Sequence, residues 1–326
     1  MRRILSFSIA LVGLLVAAAP GGRAAEGDFP NRRIHIIVPY PAGGIVDAMT
    51  RIIADRLSSI WGQPIVVEAK PGANANLGTD QVARAEPDGY TWGFFAPFAM
   101  VNPRLYTNLR WSEKSFTGVA VATYAANVLV VPQDMPAATL KEFVALARAK
   151  PGVFNYGNPG IGSSNHLNTE LFLRDAAIDM KSVPYKGQPA AILDLLAGRI
   201  HFKIASIGLV AEQVKAGQLK ALAVIGNERS PLLPDVPTVA EAGFPASNLV
   251  PWYGFAVPKD TPPAVVERIA AGFAEALADP GVRRLLLTQG LEPAAPMTAA
   301  EIAAVIASDT ERYARLIADI GLKLSE

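Results

Sequence analysis

Residues 33–62 read RIHIIVPYPAGGIVDAMTRIIADRLSSIWG, and this stretch decides the fold. Its IHIIV core is a β-branched run of strand length, and Pro41 ends it. Ala42, Gly43 and Gly44 make the turn. Over residues 45–61, Met49, Ile52, Ile53, Leu57 and Ile60 recur at helical spacing and define one apolar face. Gly62 closes the helix, because glycine takes the left-handed conformation at little steric cost. Working outward, residues 64–68 (PIVVE) read as a second strand and 79–85 as a short helix. Pro87-Asp88-Gly89 is a turn, and residues 90–95 are a third strand. Strand, helix, strand, helix, strand favours a parallel sheet covered by helices.

The alternation resumes later. Strands are expected at 128–131, 154–157, 181–185, 200–205 and 219–225, with helices at 138–150, 163–173, 189–197 and 210–216 between them. A proline-rich irregular stretch follows, then a strand at 252–257 and helices at 262–277, 280–289 and 299–320. The breaks at 123–127 and 247–251 suggest one lobe built from 26–126 and 252–326, with a second lobe, 127–251, inserted. The expected architecture is α/β: two lobes joined by a two-strand hinge, with a cleft that can close on a ligand.

Bulk properties narrow the function. The 326 residues are 51% hydrophobic and 18% charged, with a formal net charge of +1. Such a balance opposes disorder and the basic surface of a nucleic-acid binder. With no cysteine, disulfides and thiolate metal sites are excluded. The three histidines, His35, His166 and His201, form no metal-spaced cluster with acids, so neither metal nor cofactor is expected. Arg2 and Arg3 precede an uncharged apolar run over 4–19 and the small residues Gly21, Gly22 and Ala24. That is the order of a secretory signal peptide, assigned to residues 1–25, with cleavage after Ala24 or Ala19.

Three motifs carry binding chemistry. The first is Tyr40-Pro41-Ala42-Gly43-Gly44, between strand and helix, where first-turn N–H groups lack partners and carry partial positive charge. Glycines let an anion approach them. Asp47 sits in the first turn and reads better as a loop anchor than as a ligand contact. The second is residues 155–166 (NYGNPGIGSSNH), where Gly160 and Gly162 open the backbone and Ser163 and Ser164 supply a cap and hydroxyls. It has neither a Walker lysine nor dinucleotide-fold glycine spacing, so a small anion fits it better than a nucleotide. A Ser163–His166 hydrolase is the catalytic alternative, but Gly160-Ile161-Gly162-Ser163-Ser164 does not match the strained nucleophile elbow. The third is Val183-Pro184-Tyr185-Lys186-Gly187, at a strand end. All three occupy carboxyl ends of strands, where open parallel sheets gather ligands. Phe98, Asn102 and Ser206 are candidates for the far end of the site.

With these residues in view, the chain resembles the Bug-type (TctC) receptors of tripartite tricarboxylate transporters in Gram-negative bacteria. The resemblance rests on IIVPYPAGGIVD (36–47), VVEAKPGANANLG (66–78), PDGYT (87–91), VPYKG (183–187), LKALAV (219–224) and LPDVPTVAEAGFP (233–245). It implies a periplasmic type II binding-protein fold and no catalysis. Two loops, Pro41 to Gly44 and Gly160 to His166, would grip a ligand carboxylate like pincers, with Tyr185 and Gly187 as a third ligand-facing segment. The implied ligands are di- and tricarboxylates, acidic amino acids and aromatic acids. The implied partners are membrane permease subunits or, alternatively, a sensor kinase of a two-component system, with the receptor a monomer in the periplasm. The chain departs from the family at 68–75 (EAKPGANA) and at Phe202-Lys203-Ile204-Ala205-Ser206, where an acidic residue is usual.

Overall fold

The computed structural model describes residues 29–322; the expected signal peptide lies outside them. The first part of the chain forms β1 (Ile34–Val38), α1 (Ile45–Trp61), β2 (Ile65–Ala69), α2 (Asn76–Ala83), β3 (Thr91–Phe95), α3 (Phe98–Leu105) and β4 (Phe116–Tyr124). The middle forms β5 (Asn127–Pro132), α4 (Leu140–Ala149), β6 (Asn155–Asn158), α5 (Ser164–Asp175), β7 (Lys181–Pro184), α6 (Gln188–Leu196), β8 (Lys203–Ser206), α7 (Ala211–Lys215) and β9 (Leu219–Ile225). The last part forms β10 (Trp252–Pro258), α8 (Pro263–Ala278), α9 (Pro280–Thr288), β11 (Glu292–Pro293) and α10 (Ala299–Asp319).

A six-stranded sheet has the order β11-β4-β10-β3-β1-β2. Its β1, β2 and β3 are parallel, as the alternation predicts, but β10 runs antiparallel to both β3 and β4. The sheet is therefore mixed rather than parallel. Neither β4 nor α3 is anticipated by periodicity. Gly118, Ala120 and Ala122 interrupt the strand formers of β4, and it holds its place through ladders to β10 and β11 on either side. Behind this sheet, Ile34, Ile36, Val38, Trp92 and Phe255 pack against Met49, Ile53 and Leu57 of α1 and Ile269 and Phe273 of α8. Gly62 caps α1 in the left-handed conformation with φ 63°, its N–H donating to the Ser58 carbonyl at 2.9 Å.

The second sheet is centred on β5, antiparallel to both β8 and β9. The parallel pair β6-β7 joins it through a bridge between Tyr156 and Phe202. Its core stacks Phe202 on Phe143, centroids 5.1 Å apart, and on Phe172 at 5.5 Å. The chain leaves the first sheet through Ala125 and Ala126 and returns through Val250 and Pro251. These crossings are tied together, the Ala125 N–H donating to the Pro251 carbonyl at 2.8 Å. The cleft opens between the two lobes beside them.

Candidate functional site

The first lobe contributes the turn between β1 and α1. Gly43 has φ 79°, and its N–H donates to Asp47 Oδ2 at 3.0 Å. Arg51 holds the same carboxylate through Nε and Nη2, each at 3.0 Å. Asp47 is 4% exposed, and its Arg51 partner, aided by the Gly43 amide, keeps its carboxyl below the usual carboxylate range. Asp47 thus fastens the turn from behind. The Gly43 amide is occupied, and Gly44 makes only a long 3.4 Å bond to the Pro41 carbonyl. The first intrahelical bond of α1 is Ala48 N–H to Gly44 carbonyl, so the N–H groups of Ile45 and Val46 precede the ladder and have no helical acceptor.

The second lobe repeats the device with other side chains. Gly160, with φ 147°, donates to Asn158 Oδ1 at 3.0 Å, and Ser163 N–H donates to the Gly160 carbonyl at 3.1 Å. Gly162, with φ 76°, donates to His166 Nδ1 at 3.2 Å. Ser163 caps α5, its Oγ accepting from the His166 backbone N–H at 3.3 Å. A ring that accepts at Nδ1 carries its proton on Nε2, which here lies 3.6 Å from Glu170. Glu170 also accepts from the Tyr156 hydroxyl. The His166 bond, then the Tyr156 bond, lower the Glu170 carboxyl against the opposing effect of burial. The hydrogen bonds of His166 fasten this loop, and its ring makes none to Ser163 Oγ. The N–H groups of Ser164 and Asn165 are left at the start of α5, because its ladder begins with Leu167 N–H to Ser163 carbonyl.

A cavity of about 470 Å³ lies where these two helix starts face each other. Tyr40, Pro41 and Gly44 line it from the first lobe, and Gly160, Gly162, Ser163 and Ser164 from the second. A smaller cavity of about 250 Å³ shares Gly44, Ile45 and Tyr253 with it and adds Gly43 and Ser206. Ser206 exchanges two hydrogen bonds with Gln188, at 2.8 and 2.9 Å. Ala42, Asp47, His166, Tyr185 and Gly187 line neither cavity. The Tyr185 hydroxyl donates to Asp194 at 2.7 Å, and burial together with that carboxylate pushes its pKa up to about 12. Asn102 is fully buried and donates to the Asn74 carbonyl and Asn76 Oδ1, both at 2.8 Å. It props Asn74, one of four successive residues with positive φ (Gly72 to Ala75), against the cavity.

Sequence reasoning missed most of the wall. Phe94, Val101, Leu167, Tyr253 and Tyr313 come from five separate elements, and Ile161 sits between the expected glycines. Tyr40, Phe94, Phe98 and Tyr253 form one aromatic cluster. Tyr40 meets Phe94 edge-on at 5.8 Å, Phe94 stacks on Phe98 at 6.2 Å, and Tyr253 meets Phe94 at 5.4 Å. Burial raises the Tyr40 phenol and pushes Tyr253 up to about 12, so both remain neutral. No Asp, Glu, Lys, Arg or His among the described residues lines either cavity. The described residues also hold no acid and histidine group suited to a metal ion, and no helix long and apolar enough to cross a membrane.

One charge stands inside the second lobe, away from the cleft. Lys203 on β8 is 0% exposed, and its Nζ has no hydrogen-bond partner. Burial pushes its pKa down from 10.5 to about 8.

Comparison with known proteins agrees with this architecture. A profile described as the tripartite tricarboxylate transporter family receptor matches residues 49–322. A protein from the tcbD-tcbE intergenic region of Pseudomonas sp. strain P51 is 35% identical over 97% of this chain and 95% of its own length. A solved periplasmic transporter is 35% identical with a TM-score of 0.78, over 91% of this chain and 100% of that one. A Rhodopseudomonas palustris protein solved with adipate is 30% identical with a TM-score of 0.78, over the same shares.

Proposed function

Because the chain belongs to the tripartite tricarboxylate transporter receptor family, we propose that it binds a small organic carboxylate between its lobes and delivers it to a membrane permease of that transporter type. It is a solute-binding receptor by family; the carboxylate, the permease and a periplasmic location are the proposal. The observation that carries it is one cavity lined by the starts of two helices, with Ile45 and Val46 at one and Ser164 at the other, whose N–H groups have no helical acceptor. Amides fixed at a helix N-terminus favour an anion without needing a cationic side chain. The relative solved with adipate carries an organic acid on the same fold.

The proposed lobes are 26–126 with 252–326, and 127–251. They would rock about the crossings at Ala125-Ala126 and Val250-Pro251, so that closing brings the two sets of amides onto one guest. The test compares acids with their primary amides, which keep shape and lose charge. An acid at a hundredfold excess over its Kd should add about 2.7 kcal/mol of stability, read as a shift in thermal midpoint, and the amide should add almost none. Equal stabilisation by acid and amide, or stabilisation by neither, would remove the carboxylate from the reading.

A further inference from the structure

The walls of the cavity say more about the ligand than its mouth does. A second carboxylate on the guest would need a cation, a cluster of donors or water. No cationic side chain lines either cavity among the described residues. Beyond the amides the wall is mostly aromatic and aliphatic, made by Tyr40, Phe94, Phe98, Tyr253, Val101 and Leu167, with Asn74, Ser163 and Ser164 as neutral polar side chains. A flat apolar body suits the edge and face arrangement of those rings. An aliphatic dianion would be desolvated there with one charge unpaired.

The wall also holds a polar group with nothing to bind. Tyr313 of α10 lines the cavity, is 1% exposed, and its hydroxyl makes no hydrogen bond. Buried hydroxyls are almost always paired, and an unpaired one calls for an explanation. Met100, Val101, Leu167, Leu249 and Trp252 share its apolar cluster, and the nearby charges of Asp309 and Arg312 act on it without bonding it. Because Tyr313 lines the cavity, a ligand there is a candidate partner for the hydroxyl.

We infer that the ligand is an aromatic monocarboxylate, its charge on the two helix starts, its ring against Phe94 and Phe98, and a neutral polar ring substituent paired with the Tyr313 hydroxyl. This rests on the carboxylate reading above and sharpens it to one chemical class.

Titration calorimetry on the mature protein at neutral pH tests it with 4-hydroxycinnamate, cinnamate, adipate and citrate, on wild type and on Tyr313→Phe. Both cinnamates should bind at least about tenfold more tightly than adipate or citrate, the deficit reflecting the unpaired second charge. Tyr313→Phe should weaken 4-hydroxycinnamate about fivefold and leave cinnamate within about twofold, the pattern of one lost hydrogen bond. If adipate or citrate binds more tightly than the cinnamates, the class assignment is overturned while the carboxylate receptor stands. If no acid binds, both readings fall. If Tyr313→Phe weakens both cinnamates equally, the hydroxyl is a structural group and its assignment to the ligand is overturned.

Discussion

The two lobes present the same chemical device to the cleft but secure it in different ways. In the first lobe a carboxylate and a guanidinium, Asp47 and Arg51, pin the Gly43 amide behind the turn. In the second a histidine does it, with His166 taking the Gly162 amide while Glu170, itself bonded by the Tyr156 hydroxyl, pairs with His166 in turn. The glycines provide the backbone shape, the side chains behind them use up the glycine amides, and the amides left over belong to the next residues along. Binding chemistry of this kind is located by asking which donors have already been satisfied. The lobes differ in their interiors as well: an aromatic and aliphatic core lies behind α1, whereas the second lobe carries the unpartnered Lys203.

That last difference gives the largest expected effect. The displacement of the Lys203 pKa from 10.5 to about 8 corresponds to about 3 kcal/mol of destabilisation while the side chain is charged in the unfolded chain. The unfolded lysine binds a proton that the folded one has given up between those two values, so stability rises with pH across that window and is lowest below it. Lys203→Met should therefore raise stability at pH 7 by about 3 kcal/mol and flatten the rise, measured by urea unfolding from pH 7 to 10.5. An unchanged pH profile would mean the amine finds a partner.

Next come the donors themselves. Ile45 and Ser164 are the first residues of their helices, where proline is well tolerated and has no N–H to give. The preceding residues, Gly44 with ψ 170° and Ser163 with ψ 154°, already have the extended conformation proline demands. Ile45→Pro and Ser164→Pro should each weaken acid binding by about 1.5–3 kcal/mol, the range for a hydrogen bond to a charged group. Calorimetry reads this, with Ser164→Ala as the control for the lost hydroxyl and an unchanged unliganded melting temperature as the control for folding. A loss confined to one variant would show that only one lobe grips the anion.

Breaking the supports should cost less and should separate the lobes. His166→Ala leaves the Gly162 amide unpartnered and should lower stability by about 1–2 kcal/mol, with weaker acid binding as the loop loosens. Asp47→Asn should cost about 1 kcal/mol, because Arg51 is half-exposed and solvent screens the pair. The Asp47 carboxyl is held below its ordinary pKa, so its stabilisation is present at neutral pH and lost as acid protonates it below about pH 4. Acid unfolding of Asp47→Asn should thus be shallower than wild type in that window. His166→Ala should retain the Asp47 part of the acid limb.

The sequence made the two glycine turns at the helix starts legible because strand, glycine turn and helix are local patterns. The strands around them, β1 to β3 and β5 to β9, followed from the same reasoning. What stayed hidden was non-local. Strand β4 has alanines and glycine where an alternating pattern would be recognised, and its stability comes from partners more than a hundred residues away in β10. The antiparallel placement of β10 is set by the return of the chain, which no window shows. Within the site, Asp47 could be read as an anchor from its place in a first turn. That His166 occupies the Gly162 amide depends on a rotamer, and that Phe94, Tyr253 and Tyr313 share one wall depends on packing.

The central claim is that amides from both helix starts meet one carboxylate. A high-resolution structure of the complex with 4-hydroxycinnamate tests it most directly. The account predicts carboxylate oxygens within about 3 Å, directly or through one bridging water, of Ile45 or Val46 nitrogen and of Ser164 or Asn165 nitrogen. A carboxylate held by one lobe alone, or lodged away from both helix starts, would contradict it.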